Sequence, residues 1–448
     1  MKTRRLGAAA VSAGLLLTLA ACSDSSDPNA SDGNGNGGDT VEVVIWDTGL
    51  LGKTTEDGKP DIDNSFLDQA AAMFQEENPN IHIKVVQQGG DITANGAEFQ
   101  AASIAGNGPD MRVQYAGGPT LSYSDFFLDL SDVFDQATYD SITGWNTVRE
   151  NYDSNGALLG LPYGAGSYFT VFYNKDMLTA AGLNPDNPPT TWEGLMANGK
   201  QILDTTGQTP FWVANLEGYV GAWVVGALLG GELGPTVSTD MYTGVIPVDN
   251  PSFVKVYQAW ADFGASGLTN ADAGEVSNGD STAGFVQGKG AYYIVGSWEN
   301  ENMTKEFGDG VGTFFIPMLQ GAKYPNTAAG GPNVAVSVTN YSKHQAEAEK
   351  FLQFLARPDV QDIYVKLNQI EASSNKNGDP SVITNPLLQE QAKQLANVDD
   401  VVYPFDNVMP SSVIDLFYKL NASVFLGGTS PEDAVQQLSD AFATAQAE

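Results

Sequence analysis

Apolar and polar positions along this chain follow two periods that alternate from segment to segment. Val41-Glu42-Val43-Val44-Ile45-Trp46 is a β-rich run that breaks into Asp47-Thr48-Gly49, as a strand opening into a glycine loop does. Over residues 65–77, Phe66, Leu67, Ala70, Ala71 and Phe74 recur at helical spacing, and Asn78-Pro79 stops the helix. Ile81, Ile83 and Val85 then alternate with His82, Lys84 and Val86, which predicts a second strand. Strand, helix and strand within about 45 residues make a βαβ unit. Pro109-Asp110-Met111-Arg112-Val113 predicts a further strand opening into residues 114–118, and residues 168–173 another. The spacing from Thr190 to Glu193 suits a capping box before a helix. Dense glycines over residues 218–244 predict a loop-rich stretch. Residues 343–356 predict an amphipathic helix, with Ala348, Phe351, Leu352 and Leu355 on one face. Ser430-Pro431-Glu432-Asp433 starts the last helix, with proline at its first position. No solenoid repeat interrupts this; the pattern is α/β throughout.

The first forty residues obey other rules. Lys2, Arg4 and Arg5 precede an apolar run over 6–21, broken by Ser12 and Thr18, with small residues at its end. That is the build of a secretory signal peptide, and it falls short of the roughly 18 apolar residues of a spanning helix. Leu19-Ala20-Ala21-Cys22 resembles the lipobox of bacterial lipoproteins, which implies a diacylglyceryl group on Cys22 and cleavage before it. Cys22 is the only cysteine, so it has no intramolecular disulfide partner, and two acyl chains suffice for stable attachment. Residues 23–40 are mostly Ser, Asp, Asn and Gly with no aromatic side chain, the composition of a flexible tether. The rest is long enough for two domains, and no later stretch is long and apolar enough to span a bilayer. Net charge is −33, and cleavage at Cys22 would leave 18 basic against 54 acidic residues, or −36. Such a body is repelled by phosphate backbones, which disfavours nucleic acid, and it favours a neutral ligand over a strongly anionic one.

Several chemistries fail on spacing. Gly49-Leu50-Leu51-Gly52-Lys53-Thr54 follows a strand, but a phosphate-binding loop needs four residues between its glycines and a helix from the lysine; here two intervene and Glu56-Asp57-Gly58-Lys59-Pro60 is turn chemistry. His82 and His344 have no ligand partner at helical or hairpin spacing, and the acidic loop of Asp57, Asp61 and Asp63 lacks the glycine and closing glutamate of a calcium loop. No Gly-x-Ser-x-Gly elbow is present. Two carboxylates facing one cleft stay open among 54 acids, so a surface glycosidase remains a rival reading. What stands out is a set of glycine-flanked aromatics beside amides or acids: Trp46-Asp47, Gln114-Tyr115, Pro162-Tyr163-Gly164, Glu217-Gly218-Tyr219, Trp298-Glu299 and Gly331-Pro332-Asn333. Sugars present an apolar C–H face and a rim of hydroxyls, which want flat rings and charged or amide acceptors respectively.

These passages resemble the carbohydrate-binding family of extracellular solute-binding proteins of ABC importers, which includes maltose-binding protein. Phe172-Tyr173-Asn174-Lys175-Asp176-Met177-Leu178, followed by Thr190-Thr191-Trp192-Glu193, is similar to its first signature block. Gly288-Lys289-Gly290-Ala291-Tyr292-Tyr293 with Gly296-Ser297-Trp298 resembles the second, and Gly330-Gly331 before Ala346-Glu347-Ala348-Glu349-Lys350-Phe351-Leu352 the third. The resemblance implies two α/β lobes, a hinge and an interlobe cleft: residues 41–158 plus 316–366 as lobe one, and 159–315 plus 367–448 as lobe two. It implies a monomeric, lipid-anchored receptor on the outer face of the membrane that delivers a neutral oligosaccharide to ABC permease subunits, without catalysis, cofactor or metal. Tyr163 and Trp298 are the expected stacking rings, with Tyr115 and Tyr219 beside them. Asp47, Glu217 and Glu299 are the expected hydroxyl acceptors, with Gln114, Gly331 and Asn333 completing the site. The cleft is expected to gather Tyr163, Glu217 and Trp298 at one opening. A binding protein for another solute, such as a polyol or peptide, and a lipid-anchored adhesin are the further alternatives.

Overall fold

In the computed structural model, residues 40–445 are described apart from 56, 90, 91, 165, 166, 369 and 371. The signal segment, Cys22 and the tether therefore lie outside the described residues. Strand β1 (Val41–Asp47) feeds the helix Phe66–Glu77. Ser65 caps that helix by accepting from the Asp68 N–H, and Phe66, Leu67, Ala70, Ala71 and Phe74 form its buried face, as the spacing predicted. β2 (Ile81–Gln87) returns parallel to β1, alternating buried and exposed at its start. The helix Ile92–Ile104 leads to β3 (Met111–Tyr115), parallel to β1 on its other side. Both crossovers leave the C-terminal strand ends facing one edge, where open α/β sheets present their binding loops.

β4 (Leu161–Tyr163) precedes β5 (Phe169–Asn174), β6 (Phe211–Trp212), β7 (Tyr292–Gly296) and β8 (Val311–Phe315). β9 (Thr327–Ala329), β10 (Val334–Val338) and β11 (Asp400–Val402) complete the set. The first sheet has the order β2-β1-β3-β10-β4, the second β6-β7-β5-β8, and β9 pairs with β11 in a small ribbon. Each main sheet carries its own apolar core. Val43, Ile45, Met111, Val113, Phe351 and Leu352 belong to the first, and Val171, Phe172, Phe211, Tyr292, Trp260 and Phe263 to the second.

The cores correct the lobe limits drawn from the sequence. β4 pairs with β10, and Leu161 and Tyr163 pack in the first core, so the chain leaves that lobe after residue 163 rather than at 158. Ile316, Met318, Leu319 and Ala329 pack in the second core, and Val334 in the first, so the return falls between 329 and 334 rather than at 316. Tyr403 and Val408 join the first core while Phe405 and Met409 join the second. Residues 403–409 thus stitch both lobes together within one turn.

The glycine-dense stretch is helical. Tyr219–Leu233 is a 15-residue helix buried on nearly every side, so it has no apolar period to betray it. Its glycines are contact notches: a Cβ on Gly221 would stand 2.6 Å from Asn421, on Gly230 2.6 Å from Val402, and on Gly231 2.6 Å from Met318. No helix among the described residues is long and apolar enough to cross a membrane. The cap before the helix Trp192–Thr206 also differs by one residue. Thr191, not Thr190, accepts from the Gly194 N–H, and Glu193 reaches instead to the Gln320 N–H at 2.7 Å.

Candidate functional site

A cleft of about 940 Å³ opens between the two sheets. The first lobe contributes Leu50 from the loop after β1, Gln114 and Tyr115 from the end of β3, and Asn333 from the entry to β10. The second contributes Tyr219, Trp223 and Trp298. The stitching segment adds Pro404, Asp406 and Asn407, and the helix Ser411–Phe425 adds Asp415 and Tyr418.

The second lobe's wall is an aromatic assembly. Phe169 stacks on Trp223 with centroids 5.5 Å apart, and Trp298 meets both edge-on, at 6.3 and 5.4 Å. These contacts fix the Trp298 indole in the wall, and the residue is 44% exposed although it sits in a cleft. Gly296 makes that pose possible, since a Cβ there would stand 1.8 Å from the Trp298 ring. A Gly296→Ala variant is therefore expected to fold, to shift the tryptophan emission spectrum and to lose ligand affinity as Trp298 loss does; an unchanged spectrum and affinity would separate the two residues. Tyr219 and Tyr418 pack edge to face at 4.8 Å beside this group.

Of the residues expected from sequence, Gln114, Tyr115, Tyr219, Trp298 and Asn333 line the cleft together. The others do not. Asp47 is fully buried, and its carboxylate accepts from the N–H groups of Leu50, Leu51 and Gly52 at 3.2, 3.3 and 2.8 Å. It is the brace of its own loop. Burial pushes the Asp47 carboxyl upward and the backbone donors oppose this. Tyr163 is fully buried in the first core between Phe66 and Tyr364, at 5.3 and 5.5 Å. Pro162 lies inside the three-residue strand that ends at Tyr163, and Gly164 only follows it. Glu217 accepts from the Asn278 N–H at 3.0 Å, tying its loop to the helix Asn278–Val286. Glu299 accepts from the Asn302 amide at 2.9 Å within its own turn. Gly331 is buried backbone at φ +115° ahead of β10. The expected gathering of Tyr163, Glu217 and Trp298 thus reduces to Trp298 alone, and the cleft is built from other residues. Sequence reasoning passed over Phe169, which read as part of a strand, Trp223, which fell in the stretch read as loop-rich, and Arg112, Asp406 and Tyr418, which only the packing of separate elements brings to the cleft.

Residues 69–390 match the family of bacterial extracellular solute-binding proteins. The chain belongs to that family. The sn-glycerol-3-phosphate-binding periplasmic protein UgpB of Salmonella paratyphi A is 28% identical over 307 residues, 65% of this chain and 67% of its own length. Among solved structures, a chitin oligosaccharide binding protein superposes with a TM-score of 0.75 at 19% identity, over 92% of this chain and all of its own. A probable secreted solute-binding lipoprotein from Streptomyces coelicolor gives 0.73 at 20% identity, over 90% and 99%. These superpositions establish the two-lobe solute-binding fold.

In this solute-binding protein the stitching segment is electrostatically loaded. The Tyr418 hydroxyl donates to Asp406 at 2.9 Å. Burial pushes the Asp406 carboxyl up, with the Tyr418 bond opposing it, and burial followed by the Asp406 charge raises Tyr115. A carboxyl whose folded pKa is raised binds its proton more readily folded than unfolded, so its share of stability is present below the unfolded pKa and is lost as pH rises through the folded one. Asp406→Asn is therefore expected to raise the melting temperature at pH 7 and to flatten the fall in stability as pH rises above about 4. An identical pH profile in the variant would contradict the burial account.

Proposed function

We propose that this solute-binding protein captures a neutral oligosaccharide in its interlobe cleft and hands it to the membrane subunits of an ABC importer. The carrying observation is the aromatic wall with the partly exposed Trp298 ring, set opposite amides and carboxylates. A sugar's C–H face covers a ring and its hydroxyls take the polar rim. The name of the chitin oligosaccharide binding protein supports the same class. Capture proceeds by closure of the two lobes, favoured only by the contacts that ligand adds in the closed state. No bond is broken. The Cys22 lipobox and the following tether support a lipid anchor on the outer face of the cell membrane, which holds a monomeric receptor near its permease.

The name of UgpB favours a second reading, a polyol phosphate, and Arg112 at the cleft wall could meet such a charge. Size and charge weigh against it. A cleft of about 940 Å³ lies at the upper end of the range for ligands far larger than a three-carbon phosphate, and Asp406 and Asp415 line it too. A thermal-shift screen of neutral glycans against glycerol 3-phosphate separates the two, because a ligand of the folded state raises the melting temperature. The proposal requires a shift with at least one neutral glycan and no shortened products after incubation. A shift with glycerol 3-phosphate alone, or cleavage of the glycan, would overturn it.

A further inference from the structure

Arg112 lies on β3, on the face opposite Met111 and Val113, which pack in the first core. Its neighbour on the same face is Gln114, two residues along, as strand alternation requires. Both line the cleft. Arg112 is only 3% exposed and takes part in none of the ion pairs among the described residues. Taking a guanidinium out of water without a carboxylate is costly. Two rings offset part of that cost: the guanidinium carbon lies 4.1 Å from the Phe99 centroid and 4.7 Å from that of Tyr123. Burial lowers the Arg112 pKa only to about 10, so the group stays charged at neutral pH. Tyr123 also offers its hydroxyl to the guanidinium, yet Nη1 has no hydrogen-bond partner.

Gln114 is the complement. The Thr120 hydroxyl gives its proton to the Tyr115 carbonyl at 2.8 Å, so toward Gln114 it can only accept. That fixes Gln114 Nε2 as the donor to Thr120, at 3.3 Å, and to Ser337, at 2.9 Å. Gln114 Oε1 is left buried with no partner. One wall of the cleft thus holds an unpartnered Nη1 donor on a charged group beside an unpartnered amide acceptor, each side chain held from behind. A hydroxyl both donates and accepts, and neighbouring hydroxyls on one sugar ring satisfy the pair at once.

The geometry points to Arg112 as a specificity-determining residue of the cleft: Nη1 donates to one hydroxyl of the bound glycan while Gln114 Oε1 accepts from a neighbouring one. This rests on the glycan reading above. It adds a selection rule, since a sugar lacking either hydroxyl leaves a buried polar group unpaired, a stronger discrimination than shape gives in an apolar pocket.

Calorimetric titration of the full mature protein with maltotriose, chitotriose, xylotriose and glycerol 3-phosphate tests it, using wild type, Arg112→Met and Arg112→Lys. Methionine keeps an apolar stem against Phe99 and Tyr123, and melting temperatures without ligand monitor folding. The expected result is neutral-glycan binding by wild type, weakened at least tenfold by Arg112→Met and less by Arg112→Lys. Monodeoxy analogues of the bound trisaccharide supply a readout that a structural role would not move: one position should cost wild type tenfold or more and cost Arg112→Met little. Should the methionine variant fail to fold, the same comparison in Arg112→Lys decides. Wild-type glycan affinity in a folded Arg112→Met protein, or equal deoxy penalties in both proteins, overturns the role of Arg112 and leaves the glycan reading standing. No neutral glycan binding by wild type overturns the glycan reading, and this inference with it. Binding of glycerol 3-phosphate alone, lost in Arg112→Met, overturns both and makes Arg112 an anion site.

Discussion

Replacing Trp298 with alanine is expected to weaken glycan binding by tenfold or more while barely moving the melting temperature. The two halves of that expectation share one cause. Trp298 meets Phe169 and Trp223 at steep angles, lies against Gly296 and is still 44% exposed, so part of its ring stays uncovered until a ligand arrives. Covering about 100 Å² of ring contributes about 2.5 kcal/mol, and ordering costs on both partners take back part of it. A remainder of about 1.4 kcal/mol already amounts to a factor of ten. Calorimetry reads the affinity and a thermal melt reads the fold. Unchanged affinity would remove Trp298 from the site, and a large fall in melting temperature would make it a core residue.

The largest effect on stability is expected at Gly264. It lies in the helix Pro251–Ala265, which packs against the helix Ser411–Phe425. A Cβ there would sit 1.9 Å from the Phe425 carbonyl oxygen, a backbone atom that cannot swing aside. The helices would have to part, straining the Trp260 Nε1–H bond to the Asn421 carbonyl, now 2.8 Å, and the ring contact of Phe263 with Phe425. Alanine is the better helix former by about 1 kcal/mol, but overpacking costs typically 1–3 kcal/mol and sometimes more. The clash wins because no side chain can yield. Gly264→Ala is expected to lower the melting temperature by roughly 1–4 °C, with glycan affinity at 25 °C retained in the folded fraction. A melting temperature equal to or above wild type would show that the helices tolerate the extra atom and that propensity dominates.

These sites also show what could and could not be read from the chain. Local signals carried well: the Ser65 cap, the alternation that opens β2 and the Ser430 turn all depend on residues a few positions apart. The helix Tyr219–Leu233 did not carry, because burial on every side erases the period and its glycines answer to Asn421, Val402 and Met318 far along the chain. Trp298 was legible as one of the glycine-flanked aromatics beside an acid, two residues after Gly296. Tyr163 carried the same flanking pattern and is core, since a glycine beside a ring does not say whether it ends a strand or opens a loop. Asp47 offered an acid at a strand end and spends it on its own backbone. Arg112 looked like one residue of a strand, and only the arrival of Phe99 and Tyr123 over that strand gives its charge a place.

The crystal structure of the protein soaked with whichever neutral trisaccharide binds most tightly tests the central claim most directly. A sugar ring lying flat on the Trp298 indole between the two lobes, with neighbouring hydroxyls in hydrogen-bonding reach of Arg112 Nη1 and Gln114 Oε1, is the predicted result. A trisaccharide bound elsewhere, with the Trp298 face still bare, would contradict the account.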